Sequence, residues 1–352
     1  MEDQFERLAP VWYLDRRVGR LAGIRAAIRQ VTDRAGTSRV LGFSELAPRI
    51  GSLIPVGLVY SNTVANGRAL EALSPLGCPV VTHVHELEFS IRLYGGPDFE
   101  YVKRHTNHFV AVSDAVRSNL VTRHGIPEDK IERIHGFVPT RALPRGDLPT
   151  LRRALTAEIG IPENARIVGA CGTVEWRKGC DLFLQLGLAI RSRLPAFPVH
   201  LVWLGAKPEG IEFYRLQHDL EHAGLTERVH FIGPRANPLD YMVTFDVFAL
   251  VSREDPFPLV VMEAAALGVP TVCFEGAGGG REFVEEDAGC IVGYLDIDAM
   301  AERVLALLNA QELRDRLGRR AQDKVRERHD IDVTAPQLLR MIERMLVTGN
   351  GS

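Results

Sequence analysis

Short apolar runs recur along this chain at intervals that leave room for one helix each. They lie at Leu58–Tyr60, Pro79–Val84, Phe109–Val112, Ile167–Cys171, Val199–Leu204, Val229–Ile232, Val247–Val251, Thr271–Phe274 and Cys290–Val292. Between them the period changes to that of a helix, as at Asp181–Leu194 and Ala299–Leu308. Apolar runs without polar alternation belong to strands covered on both faces, and strands separated by helices pair in parallel. The pattern predicts a doubly wound α/β architecture.

Length then sets the number of cores. At 352 residues the chain is about right for two domains of ~150 residues each. Pro139–Thr150, with three prolines, a glycine and no period, is the expected linker. It divides a first domain, residues 1–144, from a second, residues 151–332, with a last helix over 333–348. Apolar residues at 46% and charged residues at 25% are the composition of a soluble globular chain. A net charge of −3 supplies no basic field for nucleic acid. Five cysteines without a C-x-x-C pair exclude a disulfide scaffold or zinc ribbon and suit a reducing compartment, the cytoplasm. The opening MEDQFERLAP has no apolar h-region, and Phe257–Phe274, the least polar stretch, is broken by Glu263, Gly268 and two further prolines. Neither a signal peptide nor a spanning helix is expected.

Four segments carry residues suited to chemistry. In REDPFPLVVMEAAALGVPTV a strand ends, a turn holds Asp255, and Glu263 follows within a helix that Pro258 can start. Ligands of open α/β sheets bind outside the carboxyl ends of strands, where this turn sits. Asp255 as a plain cap and Glu263 as a solvated helix residue are equally compatible with the spacing, although the stripe Leu259, Met262, Ala266 draws Glu263 toward the core. In CGTVEWRKGCDLFL, Arg177 and Lys178 stand at a helix entry, where two cations can hold a diphosphate. The spacing is not that of a Walker P-loop. In VTHVHELE, His83 and His85 share a face at the end of a strand; a hydrogen-bonding role suits them better than a metal pair. In FEGAGGGREF, Gly276, Gly278, Gly279 and Gly280 can let a ligand approach the backbone, as can any glycine turn.

Other patterns mislead. HDLEH at His218–His222 spells a zinc-protease motif, but on a surface helix with no third ligand. Asp296 and Asp298 open a helix and suit capping. Leu14, Val18, Leu21, Ile24, Ile28 and Val31 form an apolar face among Arg16, Arg17, Arg20, Arg25 and Arg29, which can pack on the first sheet or rest peripherally on anionic lipid at the inner face of a membrane.

From Leu58 to Leu308, the order and spacing of these segments, with the AVSDAVRSNL run and the VHFIGP strand, resemble the retaining GT-B glycosyltransferases of family 4, which use nucleotide sugars and carry an E-x7-E motif. The resemblance implies two Rossmann-like domains, acceptor-side first and donor-side second, with a last helix that crosses back. It implies sugar transfer from a nucleoside diphosphate sugar to an acceptor hydroxyl in glycan, glycolipid or glycosylated-metabolite biosynthesis, of the hexosyltransferase type, without metal or cofactor. Position by position, Glu263 matches the acid on the donor ribose, Asp255 the acid facing the donor sugar, and Lys178 the lysine on the diphosphate. His85 matches the histidine that contacts the transferred sugar. Glu282, with Gly279 and Gly280, matches a loop lining the donor pocket. Thr173 stands where the family has an arginine, and Arg177 can supply that charge. Asp255 replaces a glutamate, and Pro256 and Pro258 replace glycines, so two backbone donors are gone. A nucleotide-sugar epimerase on the same fold and a nucleotide-binding partner subunit without activity remain alternatives. The first domain is expected to lack its opening strand and glycine-rich turn, leaving about three strands ahead of the linker.

Overall fold

A computed structural model of the chain describes residues 13–14, 40–141, 144, 146–194 and 199–349. Its strands are β1 (Tyr13–Leu14), β2 (Val40–Leu41), β3 (Val59–Ser61), β4 (Val80–Val84), β5 (His108–Ala111), β6 (Ile131–Arg133), β7 (Arg166–Cys171), β8 (Val199–Leu204), β9 (Val229–Ile232), β10 (Val247–Leu250), β11 (Thr271–Phe274) and β12 (Gly289–Val292). They form a pair β1-β2, a four-stranded sheet in the order β3-β4-β5-β6, and a six-stranded sheet in the order β12-β11-β10-β7-β8-β9. The expected α/β class holds, with two parallel-sheet domains. The count of three strands before the linker was one short for the sheet. Strand β6 escapes a search for apolar runs because two of its three residues, Glu132 and Arg133, are charged.

The chain divides into two compact units, Met1–His83 with Ile91–Phe109 and Arg344–Ser352, and Val84–Ser90 with Val110–Glu343. In the first, Leu70, Val81, Phe99 and Val102 are buried, and Gly67 lets its helix meet the Asp98 carbonyl, where a side chain would collide. The Tyr60 hydroxyl lies 2.6 Å from Nδ1 of the buried His83. In the second, Val168, Phe183, Leu201, Trp203, Val247, Phe274 and Leu308 belong to one core. Thr140 in the expected linker is hydrogen-bonded to Asp330, and the Leu148–Ile159 helix starts before that segment ends. The helical stretch from Leu313 is interrupted: a helix over Gln311–Lys324 passes into a π-turn at Val325–His329, and a last helix spans Ile331–Gly349.

Asp296 caps its helix, accepting from the Ala299 amide at 2.9 Å, while Asp298 binds Arg193 at 2.8 Å. His218 and His222 stack at 3.9 Å on the Ile211–His222 helix, and no metal-binding group forms around them among the described residues. The five cysteines are free. Among the described residues no helix is long and apolar enough to cross a membrane. Past Leu14, the arginine-rich stretch to Val31 lies outside the described residues.

The six-stranded sheet fixes where a ligand can sit. From β7 the chain proceeds outward through β8 and β9, then returns to the other side of β7 with β10 and proceeds through β11 and β12. The turns after β7 and β10 therefore leave adjacent strand ends in opposite directions and open a crevice. Register keeps them level, with Val247 opposite Val168 and Phe248 opposite Gly169. Gly169 is required because the Phe245 ring fills the place of its missing side chain. Gly169→Ala should destabilise the fold by about 1–3 kcal/mol through overpacking. Adding Phe245→Leu should recover part of that loss, measured by urea unfolding of the single and double variants.

Candidate active site

The turn after β7 runs through Gly172 and Thr173 into a short 3-10 turn, Trp176–Lys178, before the Cys180–Arg193 helix. The turn after β10 runs through Ser252 to Pro258, the N-cap of the Leu259–Ala266 helix. Their backbones are in direct contact. The Arg253 amide donates to the Arg177 carbonyl at 2.8 Å, and Gly179, at φ +77°, sits where any side chain would strike the Val251 carbonyl. Only glycine satisfies both the left-handed conformation and the close approach.

This contact brings two of the expected residues together. Lys178 Nζ lies 2.7 Å from Asp255 Oδ2, and both side chains are largely shielded from water. The Ser252 hydroxyl donates to the same carboxylate oxygen at 3.4 Å. A buried carboxylate requires such partners. Asp255 does not cap the following helix, which has no side-chain cap. Its backbone instead grips the glycine loop: its amide donates to Ala277 O at 2.7 Å, and the Gly279 amide donates to its carbonyl at 3.0 Å.

Glu263 is half-buried in its helix, although Leu259, one member of the stripe that suggested burial, is exposed. Burial pushes the Glu263 pKa above the usual carboxylate range. Burial first and the Glu263 charge second push the half-buried Cys171 thiol at the end of β7 up to about 11, against the opposing pull of Lys178. Glu263 therefore acts electrostatically on the same strand end as Lys178. A carboxylate that is desolvated yet reachable suits a ligand with hydroxyl donors.

The remaining candidates have the following places. His85 is exposed just beyond β4, and the protein mass around it lowers its pKa by desolvation. Arg177 donates to the Glu254 carbonyl at 3.0 Å, and Thr173 donates to Glu175 at 2.8 Å. Gly279 and Gly280 pack tightly: a side chain at Gly279 would meet the Pro256 carbonyl and Phe257, and one at Gly280 would meet Leu250. Glu282 accepts the amides of Asp114 and Ala115, both at 2.8 Å, at the start of the Asp114–His124 helix. Burial alone would raise its pKa, but the His135 contact and these two amides outweigh it and hold the carboxyl below its ordinary range. Asp114, His135 and Glu282 could together offer ligands to a metal ion, although Arg133 already lies 3.0 Å from Asp114.

Several partners of these residues are not visible as motifs. Arg253 forms a two-pronged ion pair with Asp181 at 2.8 and 2.7 Å and lies 4.9 Å from the Trp176 ring. Phe257, between the two prolines, stacks on His135 at 4.8 Å. Two cations and two carboxylates around a strand-end crevice are the groups needed to hold a diphosphate and a hydroxyl-bearing ring system.

The chain matches two family models, Glycosyl transferases group 1 over residues 152–324 and Glycosyltransferase Family 4 over residues 14–142. It is 28% identical to the lipopolysaccharide core biosynthesis mannosyltransferase LpsB of Rhizobium meliloti, over 50% of this chain and 50% of that protein. It is 26% identical to the N-acetyl-alpha-D-glucosaminyl L-malate synthase of Bacillus anthracis, over 70% of this chain and 63% of that protein. These matches span between about half and under two thirds of the relatives' own length. Anabaena Alr3699/HepE, solved in complex with UDP-glucose, has the same fold, with a TM-score of 0.74 at 21% identity, covering 90% of this chain and 89% of that one.

The raised pKa of Glu263 has a consequence for stability. Its ionised form is less favourable in the folded chain than in the unfolded one, so at neutral pH the charge costs stability, and the cost disappears as pH falls through the folded pKa. Glu263→Gln should therefore raise the Tm of the unliganded protein at pH 7, by a margin that shrinks on acidification. Thermal unfolding across pH 4–8 measures it.

Proposed function

The chain belongs to the family 4-like glycosyltransferases of the GT-B fold, and from that premise we propose that it moves a sugar from a nucleoside diphosphate sugar to an acceptor hydroxyl with retention at the anomeric carbon. The observation that carries this reading is the seating of Lys178 against Asp255 at the strand-end crevice, with Glu263 acting on the same strand end. In this reading Glu263 accepts the ribose hydroxyls, Asp255 and His85 face the transferred sugar, and Lys178 meets the diphosphate. UDP-glucose in Alr3699/HepE supports a nucleotide-sugar donor here.

The reaction places new negative charge on the leaving diphosphate. Lys178 is held in position by Asp255 before the donor arrives, so its charge needs little reorganisation when the bond breaks. This basic turn would do the work for which other transferases use a divalent ion, and the reaction would need no metal. The glycine loop, Gly279 and Gly280 included, supports the acid turn from behind, and Thr173 and Arg177 border the same crevice. The acceptor is a hydroxyl-bearing glycan, lipid or metabolite, and the free thiols suit work in the cytoplasm.

Pro256 and Pro258 favour a second reading. Both are buried in the acid turn and neither has an N–H to offer a sugar, as expected of a partner subunit that binds nucleotide without turnover. Release of nucleoside diphosphate from a purified sample separates the two.

A thermal-shift panel of nucleoside diphosphates and their sugars should reveal a donor, since a ligand of the folded state raises Tm. With that donor, Lys178→Ala should lower kcat/KM by ~10²-fold or more. Glu263→Ala should weaken nucleotide binding roughly ten- to a hundredfold, the loss of hydrogen bonds to a charged group. Turnover should survive excess EDTA. Retention of wild-type turnover and affinity by both variants, or a strict need for Mn²⁺ or Mg²⁺, would overturn the reading.

A further inference from the structure

Trp176, Arg177 and Lys178 on one turn interlock with Arg253, Glu254 and Asp255 on the other, and only Lys178 and Asp255 meet each other through charged side-chain atoms. Trp176 and Glu254 reach a third segment. Glu254 accepts the Phe89 amide at Oε2, 2.9 Å away, and the Ser90 amide at Oε1, 3.3 Å away. The Phe89 ring packs on Trp176 at 4.9 Å, and Arg253 lies 4.9 Å from Trp176 while its guanidinium is locked to Asp181. Leu87 is buried close to Gly278, and Glu88 lies 2.9 Å from His124. Residues 87–90 are thus held at every position, and His85 stands two residues before them.

We propose that Glu254 is a positioning residue, whose carboxylate, seated on the Phe89 and Ser90 amides, fixes the segment that carries His85 against the turn that carries Asp255. The role rests on the reading of His85 as a sugar-contacting group. Glu254 suits it for two physical reasons. It adjoins Asp255 in the chain, so any shift of the acid turn moves the anchor of the histidine with it. Its hydrogen bonds are charge-assisted and go to two successive amides, which restrains both the position and the direction of the segment. An aromatic contact alone, such as Phe89 on Trp176, leaves the segment free to slide. The preorganisation gained is of the kind in which small misplacements cost large factors in rate.

The test reads His85 directly. In a ¹⁵N-histidine NMR titration of the full chain, the His85 imidazole should titrate below 6.5, as desolvation dictates. In Glu254→Ala it should move toward 6.5 as the segment loosens and the protein mass that desolvates the ring draws away. In Glu254→Gln, which keeps one acceptor oxygen but turns an NH2 donor toward the other amide, it should move only part of the way. Tm should change little in either variant. An unchanged His85 titration in Glu254→Ala would overturn the proposal, as would a full shift in Glu254→Gln. Turnover of the donor selected by thermal shift supplies the second arm. Glu254→Ala should lower kcat about tenfold with donor Kd unchanged, and should cost nothing further in a His85→Ala background, because residues acting as a unit are non-additive. Additive losses would refute action through His85. Wild-type turnover in His85→Ala would refute the sugar-contacting reading itself, a result distinguishable from the first because the NMR shift in Glu254→Ala would persist.

Discussion

The Val251 carbonyl occupies the space where a side chain on residue 179 would stand, and this contact between two turns sets the geometry of the candidate site. It requires glycine at the end of the Trp176–Lys178 turn, and with the Arg253–Arg177 hydrogen bond it levels that turn with the one after β10. Only then does Lys178 come within 2.7 Å of Asp255. An isolated carboxylate as buried as Asp255 would be expelled or protonated, so the lysine both permits the acid and is aimed by it. The sheet order makes this encounter possible, since β7 and β10 are neighbours in space although two strands separate them in the chain.

Opposed demands are visible within a few residues. Asp255 is satisfied by Lys178 and Ser252, and Glu282 by two amides and His135, so both carboxylates are accommodated by the fold. Glu263 is not accommodated in this way: its pKa rises because burial is uncompensated. A residue whose charge costs the folded chain stability suits a group that meets its partner from outside, and perturbed ionisable groups concentrate at such sites.

The strands that define the fold were legible because continuous apolar runs report burial on both faces. All nine expected strands are present, with ends displaced by a residue or so, and β8, β9 and β11 coincide with their runs. Strand β6 was not legible, since Glu132 and Arg133 break the run that burial would otherwise imprint. The candidate site was half legible. Lys178, Asp255 and Glu263 lie in patterns whose order points to them, whereas Glu254 and Trp176 have no such mark. Their meaning lies in partners far away along the chain, as when Glu254 meets Phe89 across a separation of 165 residues. Periodicity and motif reading operate over a few turns of chain and have no access to such pairs. The glycines of the Gly276–Gly280 loop were legible as a turn, but the reason for Gly279 and Gly280, the pressure of Pro256, Phe257 and Leu250 behind them, becomes visible only in three dimensions.

The return of β10 to the flank of β7 also sets an order of events in biosynthesis. As the chain emerges, β7, β8 and β9 can pair one after another, because each crossover is local. Until β10 is made, the free edge of β7 has unsatisfied hydrogen-bonding groups, and Lys178 has no acid to meet. Long-range parallel pairings of this kind close slowly and expose intermediates to association. A nascent chain stalled before Val247 would therefore present an open sheet edge, and that window is where a chaperone would have most to protect.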